Sequence, residues 1–431
     1  PASVPFRMVR SRPAPSRVKP GNRPDLITEW IGHGALKENP GYAAWLIDNA
    51  LEPRFGFVPT PEGGGNVVDF EGNVFTVIPP EDFLATQAIG FTDDNSAVYM
   101  IDSRGRDKAA LTRVDIASKE STVLAASDQA DISEILTDPE TNEPVAYSVN
   151  YLKSSWYHLT PAAETDLAAI AAQLDGSLSI VSTTRDMSRW IVHEDSTDKP
   201  GAYYLYDRAS GSVEPMVVTR PALANYELAP MQATVIRARD GLDLVSYVTL
   251  PPGSDADGDG RPESPLPMVL AVHGGPWARD TFGYHPWHQW LANRGYAVLS
   301  VNYRGSTGFG KAFTRAAIRE FSGKMHDDLI DGVNWAIGEG IADADKVSIA
   351  GGSYGGFAAA WGATAFPLYS VSAAHANDYA RANEFVMISS GLLLMYGIGA
   401  IVGGVDPLER TCAALAGPSP QENLGRLGRS V

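Results

Sequence analysis

Six residues, Gly351-Gly352-Ser353-Tyr354-Gly355-Gly356, fit the pattern G-x-S-x-G. That pattern sets a serine on a sharp turn between a strand and a helix. Small neighbours are needed because the turn is strained and its backbone passes close to the chain beside it. The flanks agree: Lys346 to Ala350 reads as a short buried strand, and Phe357-Ala358-Ala359-Ala360-Trp361 as the start of a packed helix. A serine presented in this way attacks a carbonyl when a base takes its proton and donors receive the charge developing on the oxygen. His273-Gly274-Gly275-Pro276 is a second glycine-rich turn able to aim backbone N–H groups at such an oxyanion. The His273 ring is read as packing or hydrogen-bonding locally rather than as the base.

Three further groups carry charge in suggestive places. Asn302-Tyr303-Arg304-Gly305-Ser306 ends a strand, and Arg304 stands open between a substrate contact and an exposed cation on a loop. Asp255, Asp257 and Asp259 form the first half of a calcium loop, D-x-D-x-D-G. Its twelfth position is Leu266 rather than a bidentate glutamate, with Glu263 at the ninth, and flanking prolines favour a solvated linker. Asp327 and Asp328 open a helix, where negative charge suits the dipole, and are read as structural.

The elements that must hold these residues change character near residue 231. Before it, short strands alternate with polar turns: Ala97 to Ile101, Ala110 to Asp115 and Ser121 to Leu124, then Trp190 to His193, Tyr203 to Asp207 and Val213 to Val218. Asp115 and Asp207 end corresponding strands 92 residues apart, two periods of 46. A period in the forties points to four-stranded propeller blades, about four of them over residues 60–230, with a β-sandwich as the alternative. Residues 1–59 are an N-terminal segment that can hold the start of the same structure. From 231, apolar runs at Pro267 to Val272, Ala297 to Val301 and Val347 to Ala350 read as strands covered on both faces. Leu329, Ile330, Val333, Ala336 and Ile337 recur at helical spacing, so residues 231–366 read as a mostly parallel sheet with helices on both faces.

Composition bounds the partners. The 431 residues are long enough for two domains. Lys plus Arg number 34 against 51 Asp plus Glu, a net charge of −17 that argues against nucleic acid. Cys412 is the only cysteine, so no internal disulfide forms. The chain begins at Pro1, its first 24 residues lack an apolar core, and no signal peptide is visible; the start reads as cut.

With these residues assembled, the chain resembles the prolyl oligopeptidase (S9) family of serine peptidases, in particular its acylaminoacyl-peptidase-like branch. The resemblance rests on the propeller-like region, on HGGPWARD at 273–280 and NYRGSTGFG at 302–310, and on MHDDLIDGVNWAI at 325–337 and GGSYGGFAAAW at 351–361. It implies a partial β-propeller followed by a partial α/β-hydrolase domain. It further implies short peptide substrates, Ser353 as nucleophile forming an acyl-enzyme, the N–H groups of Gly275 and Tyr354 as oxyanion hole, and no metal or organic cofactor. In the α/β-hydrolase order an acid and then a histidine follow the serine. Here the only histidine after Ser353 is His375, with no acid between them, and Asp406-Pro407 has no histidine behind it. A rearranged Ser353–His375–Asp378 set is the remaining route to a triad.

The resemblance is expected to end near Ala365-Phe366. Residues 367–431 read as a divergent tail whose uncharged stretch 385–405 is long enough to cross a bilayer core of about 30 Å, the alternative being an apolar hydrolase helix. Part of the tail, 367–405, resembles a segment of major-facilitator-type transporters. A peptidase fragment joined to a foreign tail, by gene fusion or an assembly error, accounts for the missing triad. The expected function is therefore a serine peptidase incomplete at both ends and inactive as this chain. A peptide-binding scaffold on the same fold and a product anchored in a membrane through 385–405 are the alternatives.

Overall fold

The computed structural model describes residues 30–32, 35–37 and 41–363. His375, Asp378, the stretch 385–405, Asp406 and Cys412 lie outside the described residues. No helix among the described residues is long and apolar enough to cross a membrane.

A short hairpin, β1 (Trp30–Gly32) and β2 (Ala35–Lys37), precedes four antiparallel meanders. The first contains β3 (Ala44–Ile47), β4 (Pro53–Pro59), β5 (Gly65–Val68) and β6 (Val74–Ile78), and so lies across residues 59 and 60. The second contains β7 (Gln87–Phe91), β8 (Ala97–Asp102), β9 (Ala110–Asp115) and β10 (Ser121–Ala125). The third has three strands rather than the expected four, β11 (Ile132–Thr137), β12 (Pro144–Asn150) and β13 (Ser154–His158). Helix α1 (Pro161–Ala171) follows it, and the fourth meander is β14 (Ser177–Thr183), β15 (Arg189–Asp195), β16 (Ala202–Asp207) and β17 (Ser212–Val218). Among the described residues no sheet closes on itself.

Turn chemistry carries the 92-residue repeat. Asp115 closes β9 by accepting from the N–H groups of Ala117 and Ser118 at 3.0 and 2.8 Å, and Asp207 closes β16 on Ala209 and Ser210 at 3.1 and 3.2 Å. Such Asx turns let a short carboxylate replace the strand ladder where the chain reverses. Asp94 and Asp186, also 92 residues apart, each accept from the hydroxyl two residues before them and the N–H two residues after. The left-handed residues repeat too, Asn95 with Met187 and Lys119 with Gly211.

Successive meanders stack through shared apolar clusters. The two faces of β8 show how: Val98 and Met100 join Phe55, Phe75 and Phe91 of one cluster, while Ile101 joins Leu111, Ile132 and Val149 of the next. Alternation with period two is what lets one strand serve both neighbours. Helix α1 was not anticipated from the strand pattern. Thr160 caps it by accepting from Ala163 N–H at 3.3 Å, Pro161 sits in its first turn, and its buried Asp166 accepts from Tyr206 Oη at 2.8 Å and Arg208 Nη2 at 2.6 Å. Its Ala163 and Ile170 complete the core under Trp190.

The second region is a five-stranded sheet in the order β18-β19-β21-β20-β22, formed by β18 (Met231–Arg237), β19 (Asp243–Thr249), β20 (Leu266–Val272), β21 (Ala297–Val301) and β22 (Ala342–Gly351). Two of its pairings are antiparallel and two parallel, so the sheet is not mostly parallel as the sequence suggested. The cause is local: β18 and β19 form a hairpin, whereas only the strands joined by helical crossovers run parallel. Helices α2 (Pro286–Ala292), α3 (Lys311–Arg315), α4 (Lys324–Gly338) and α5 (Tyr354–Ala363) complete the region. Every residue of β21 is buried, as are the last five of β20, which matches their unbroken apolar runs. Ile330 departs from the expected apolar stripe of α4 and is exposed, while Leu329 and Ala336 face the core.

Trp190 is fully buried, meets Tyr206 edge-on at 5.5 Å and donates from Nε1 to Met187 O at 3.0 Å. Replacing it with alanine is expected to cost about 3–5 kcal/mol, read as an earlier urea transition of the fourth meander. A loss under about 1 kcal/mol would show that the cluster does not hold that sheet.

Candidate active site

Strands β20 and β22 run parallel with Val272 opposite Gly351, so their following turns emerge side by side. Open α/β sheets present ligand sites at such carboxyl ends. Ser353 sits between β22 and α5, exposed, with φ 56°. A non-glycine residue in this left-handed region costs about 1–3 kcal/mol and persists only when its surroundings impose it. The surroundings do. Gly355 N–H donates to Gly352 O and Phe357 N–H to Ser353 O, both at 3.0 Å, and Tyr354 Oη donates to Phe321 O at 3.0 Å. A Cβ at Gly351 would lie 2.5 Å from Val272 O, and one at Gly355 would overlap the same oxygen.

The His273-Gly274-Gly275-Pro276 turn meets the serine directly. A Cβ on Gly274 would lie 3.2 Å from Ser353 Cβ and 3.0 Å from Gly352 O, so glycine there lets the two turns touch. Gly275 has φ 135°, open to glycine alone, and its N–H has no acceptor among the described residues. The N–H of Tyr354 is the first of α5, a position without a partner inside a helix. The structure thus brings together the two turns that hold Ser353, Gly275 and Tyr354.

His273 is occupied elsewhere. Its Nδ1 lies 2.8 Å from Gly274 O, its Nε2 2.9 Å from Ser306 Oγ, and its ring stacks on Tyr303 at 4.4 Å. Burial pulls its pKa down to about 4, so the ring is neutral and serves to hold the turn. Among the described residues no imidazole is hydrogen-bonded to Ser353.

Arg304 is not an exposed cation. It is 3 % exposed, and its guanidinium is spent on Asp328 at 2.6 and 2.8 Å and on Asp240 at 2.9 and 3.0 Å. Asp328 also accepts from Arg304 N–H at 2.8 Å. This carboxylate is structural as expected, through a buried ion pair rather than the helix dipole. Asp327 instead pairs with Arg239 at 2.9 Å. Breaking a buried pair by removing one partner leaves an uncompensated charge. Arg304→Ala is therefore expected to cost about 3–5 kcal/mol, measured by urea unfolding, and Arg304→Lys to recover only part of it because a point charge cannot satisfy two carboxylates bidentately. Equal stability of the lysine variant and the parent would contradict the network.

Two residues without an assigned role in the sequence, Arg279 and Asp280, shape the turn beyond Pro276. Arg279 donates to Asn150 O at 2.8 Å and Tyr151 O at 3.1 Å, and Asp280 N–H donates to Asn302 Oδ1 at 2.8 Å. Their signal was present in the HGGPWARD and NYRG stretches, but the partners lie up to 129 residues away. Asp280 Oδ2 is buried without a partner among the described residues, and burial pushes the carboxyl up to about 7, against the lowering effects of Ser300 and Arg279. Between an unfolded value of about 3.9 and the folded value, the native state binds the extra proton. This carboxyl therefore disfavours folding increasingly as pH rises through that window, and the penalty is complete above the folded pKa. Asp280→Asn is expected to be more stable than the parent at pH 8 and to lose that advantage by pH 4, in urea unfolding across the range. An advantage that does not vary with pH would show that ionisation is not its source.

The acidic loop is brought together as well: carboxylate oxygens of Asp255, Asp257 and Asp259 lie within 4.8 Å of one another. Asp255 is already used inside the loop, accepting from Asp259 N–H at 3.1 Å and Gly260 N–H at 3.0 Å, and Glu263 accepts from Ala256 N–H at 2.8 Å. Leu266 belongs to β20.

Comparison with known proteins follows the same residues. The model of the prolyl oligopeptidase family matches residues 284–379, which includes the serine turn and continues through residues 367–379, past the point near Phe366 where the resemblance was expected to stop. Dipeptidyl aminopeptidase BIII of Pseudoxanthomonas mexicana is 44% identical over 335 residues, covering 77% of this chain and 49% of that protein. Dipeptidyl peptidase family member 6 of Caenorhabditis elegans is 33% identical over 348 residues, covering 74% of this chain and 47% of that protein. The chain thus spans about half the length of these curated relatives. Among solved structures, Porphyromonas gingivalis dipeptidyl peptidase 4 aligns with a TM-score of 0.56 at 16% identity, over 73% of this chain and 45% of that one, a likeness of fold. Over the span it shares with these proteins, the chain belongs to the prolyl oligopeptidase (S9) family of serine peptidases.

Proposed function

We propose that Ser353 is the nucleophile of a serine peptidase acting on short peptides, and that this chain by itself turns over very slowly. The observation that carries the reading is Ser353 itself, an exposed non-glycine residue forced to φ 56° directly against the glycine turn after β20. In the reaction Ser353 Oγ adds to the peptide carbonyl carbon, its proton passes to a base, and the carbonyl oxygen becomes an anion facing the N–H groups of Gly275 and Tyr354. The tetrahedral species collapses by expelling the amine, which takes up the proton, and water then releases the acyl group by the same steps in reverse. Oxyanion donors of this kind contribute about 10²–10³ in kcat. Among the described residues no base reaches the serine: both ring nitrogens of His273 are engaged with Gly274 O and Ser306 Oγ, and His375 lies outside the described residues.

The relatives named dipeptidyl peptidases match about three quarters of the chain, whereas human acylamino-acid-releasing enzyme matches 27% of it. A dipeptidyl substrate is therefore the better first choice than the acylaminoacyl one. The stacked meanders, with their 92-residue repeat, are read as propeller blades that limit access to the serine.

The test is hydrolysis of a dipeptidyl p-nitroanilide by the purified chain and by Ser353→Ala. Loss of the imidazole from a triad costs on the order of 10⁶ in kcat, so turnover below about 10⁻³ s⁻¹ is expected, vanishing in the alanine variant. Turnover in the ordinary range of about 1–10³ s⁻¹ would show a completed triad and overturn the slow-turnover reading. A residual rate unchanged by Ser353→Ala would remove the nucleophile assignment. A second reading, a peptide-binding scaffold, is favoured by the same unpartnered serine and predicts retained peptide affinity with no Ser353-dependent rate.

A further inference from the structure

Beside the serine turn lies a cavity of about 390 Å³ lined by Val272, Gly274, Asp280, His285, Trp287 and Gly352. It abuts the backbone of both turns that meet at Ser353. Its one ionisable acid is Asp280. The backbone of that residue is fully tied: N–H to Asn302 Oδ1 at 2.8 Å, and C=O to Asn302 Nδ2 at 3.2 Å and Arg279 Nε at 3.3 Å. The remaining Arg279 nitrogens go to Asn150 and Tyr151, so the neighbouring guanidinium is not bonded to the carboxylate. Asp280 Oδ2 is left buried and accepts no hydrogen bond among the described residues. A buried acceptor without a donor is unfavourable, and an entering N–H group relieves it.

The surroundings choose between kinds of donor. A carboxylate favours a cation over a neutral donor. Two of the imidazoles in contact with this region, His273 and His288, are kept neutral by burial, and each has protein partners on both ring nitrogens. They neither repel a cation nor take its place. Trp287, on the cavity wall, is 49 % exposed. Its indole face offers both an apolar surface and attraction for a positive charge. Pro286 adds apolar surface beside it.

We propose that this cavity is a binding site for a primary ammonium group carried on a short apolar chain, as in a lysine side chain or an alkylamine, with Asp280 as its counter-ion and Trp287 as the wall against which the chain lies. The site is distinct from the serine chemistry and does not require turnover.

The probe is n-butylammonium, titrated into the whole chain at pH 8 and followed by ligand-observed NMR. A ligand of this size is expected to bind with a Kd of about 1–10 mM. Tetramethylammonium has the charge without an N–H donor, and n-butanol has the chain without the charge; each is expected to bind at least ~10-fold more weakly. Asp280→Asn, nearly isosteric, is expected to weaken butylammonium about 10-fold. Trp287→Ala leaves the carboxylate in place and is expected to weaken it about 3-fold, and it decides the matter should the asparagine variant not fold. Absence of binding up to about 100 mM, equal affinity for all three probes, or affinity unchanged in both variants overturns the proposal. Because the readout is binding alone, failure here leaves the peptidase reading untouched, and failure of that reading leaves this one standing.

Discussion

The close approach of two parallel strand ends governs this molecule. Val272 at the end of β20 stands opposite Gly351 at the end of β22, and its carbonyl oxygen fills the space where side chains on Gly351 and Gly355 would be. One turn further, Gly274 rests against Ser353. With side chains at these positions the strands would separate, α5 would tilt away and the serine would relax from its left-handed conformation. The fully buried β20 and β21 supply the force behind the contact, since their apolar faces are covered only when the helices close over both. The strain at Ser353 is thus maintained by burial elsewhere.

Around that contact, the loops following β20 and β21 are shaped as much by the meanders as by their own sheet. Arg279 reaches the carbonyls of Asn150 and Tyr151 and lies over the Phe309 ring at 4.2 Å. Lys311 donates to Asp82 at 2.7 Å and Ser103 O at 3.1 Å, and Asp131 N–H donates to Gly308 O at 2.9 Å. Gln289 joins Thr197 O to Ala229 O, and Tyr284 N–H donates to Asp195. Bonds of this kind, with partners more than a hundred residues apart in several cases, fix the turn that carries Gly275 from the far side. The meanders are therefore part of the scaffold of the site.

Legibility in the sequence followed the range of the interactions. The strand–serine–helix turn was readable because its requirements are local: apolar residues before, glycines within, alanines after. The repeat was readable for the same reason, each Asx turn being closed by an aspartate two or three residues from its donors. Helix α1 is not legible in the period-two alternation around it, although Thr160-Pro161 announces it, because a helical insert does not share that period. The pairing of Arg304 was hidden because Asp328 and Asp240 lie 24 and 64 residues away, and an arginine at a strand end looks the same whether it meets solvent or two carboxylates. The antiparallel half of the sheet is not legible in the sequence because a strand run does not declare its direction.

By itself, the sequence determined the strand–serine–helix turn, the change from meanders to a helix-covered sheet, and the family motifs, all of which depend on residue type and short spacing. Tertiary structure alone decided that His273 is a neutral brace, that Arg304 is spent on a buried pair, and that Asp280 is left with an unanswered oxygen beside the serine turn. Those outcomes depend on which groups share a desolvated space, and a charged or ionisable side chain acquires its role from the partners that burial leaves it.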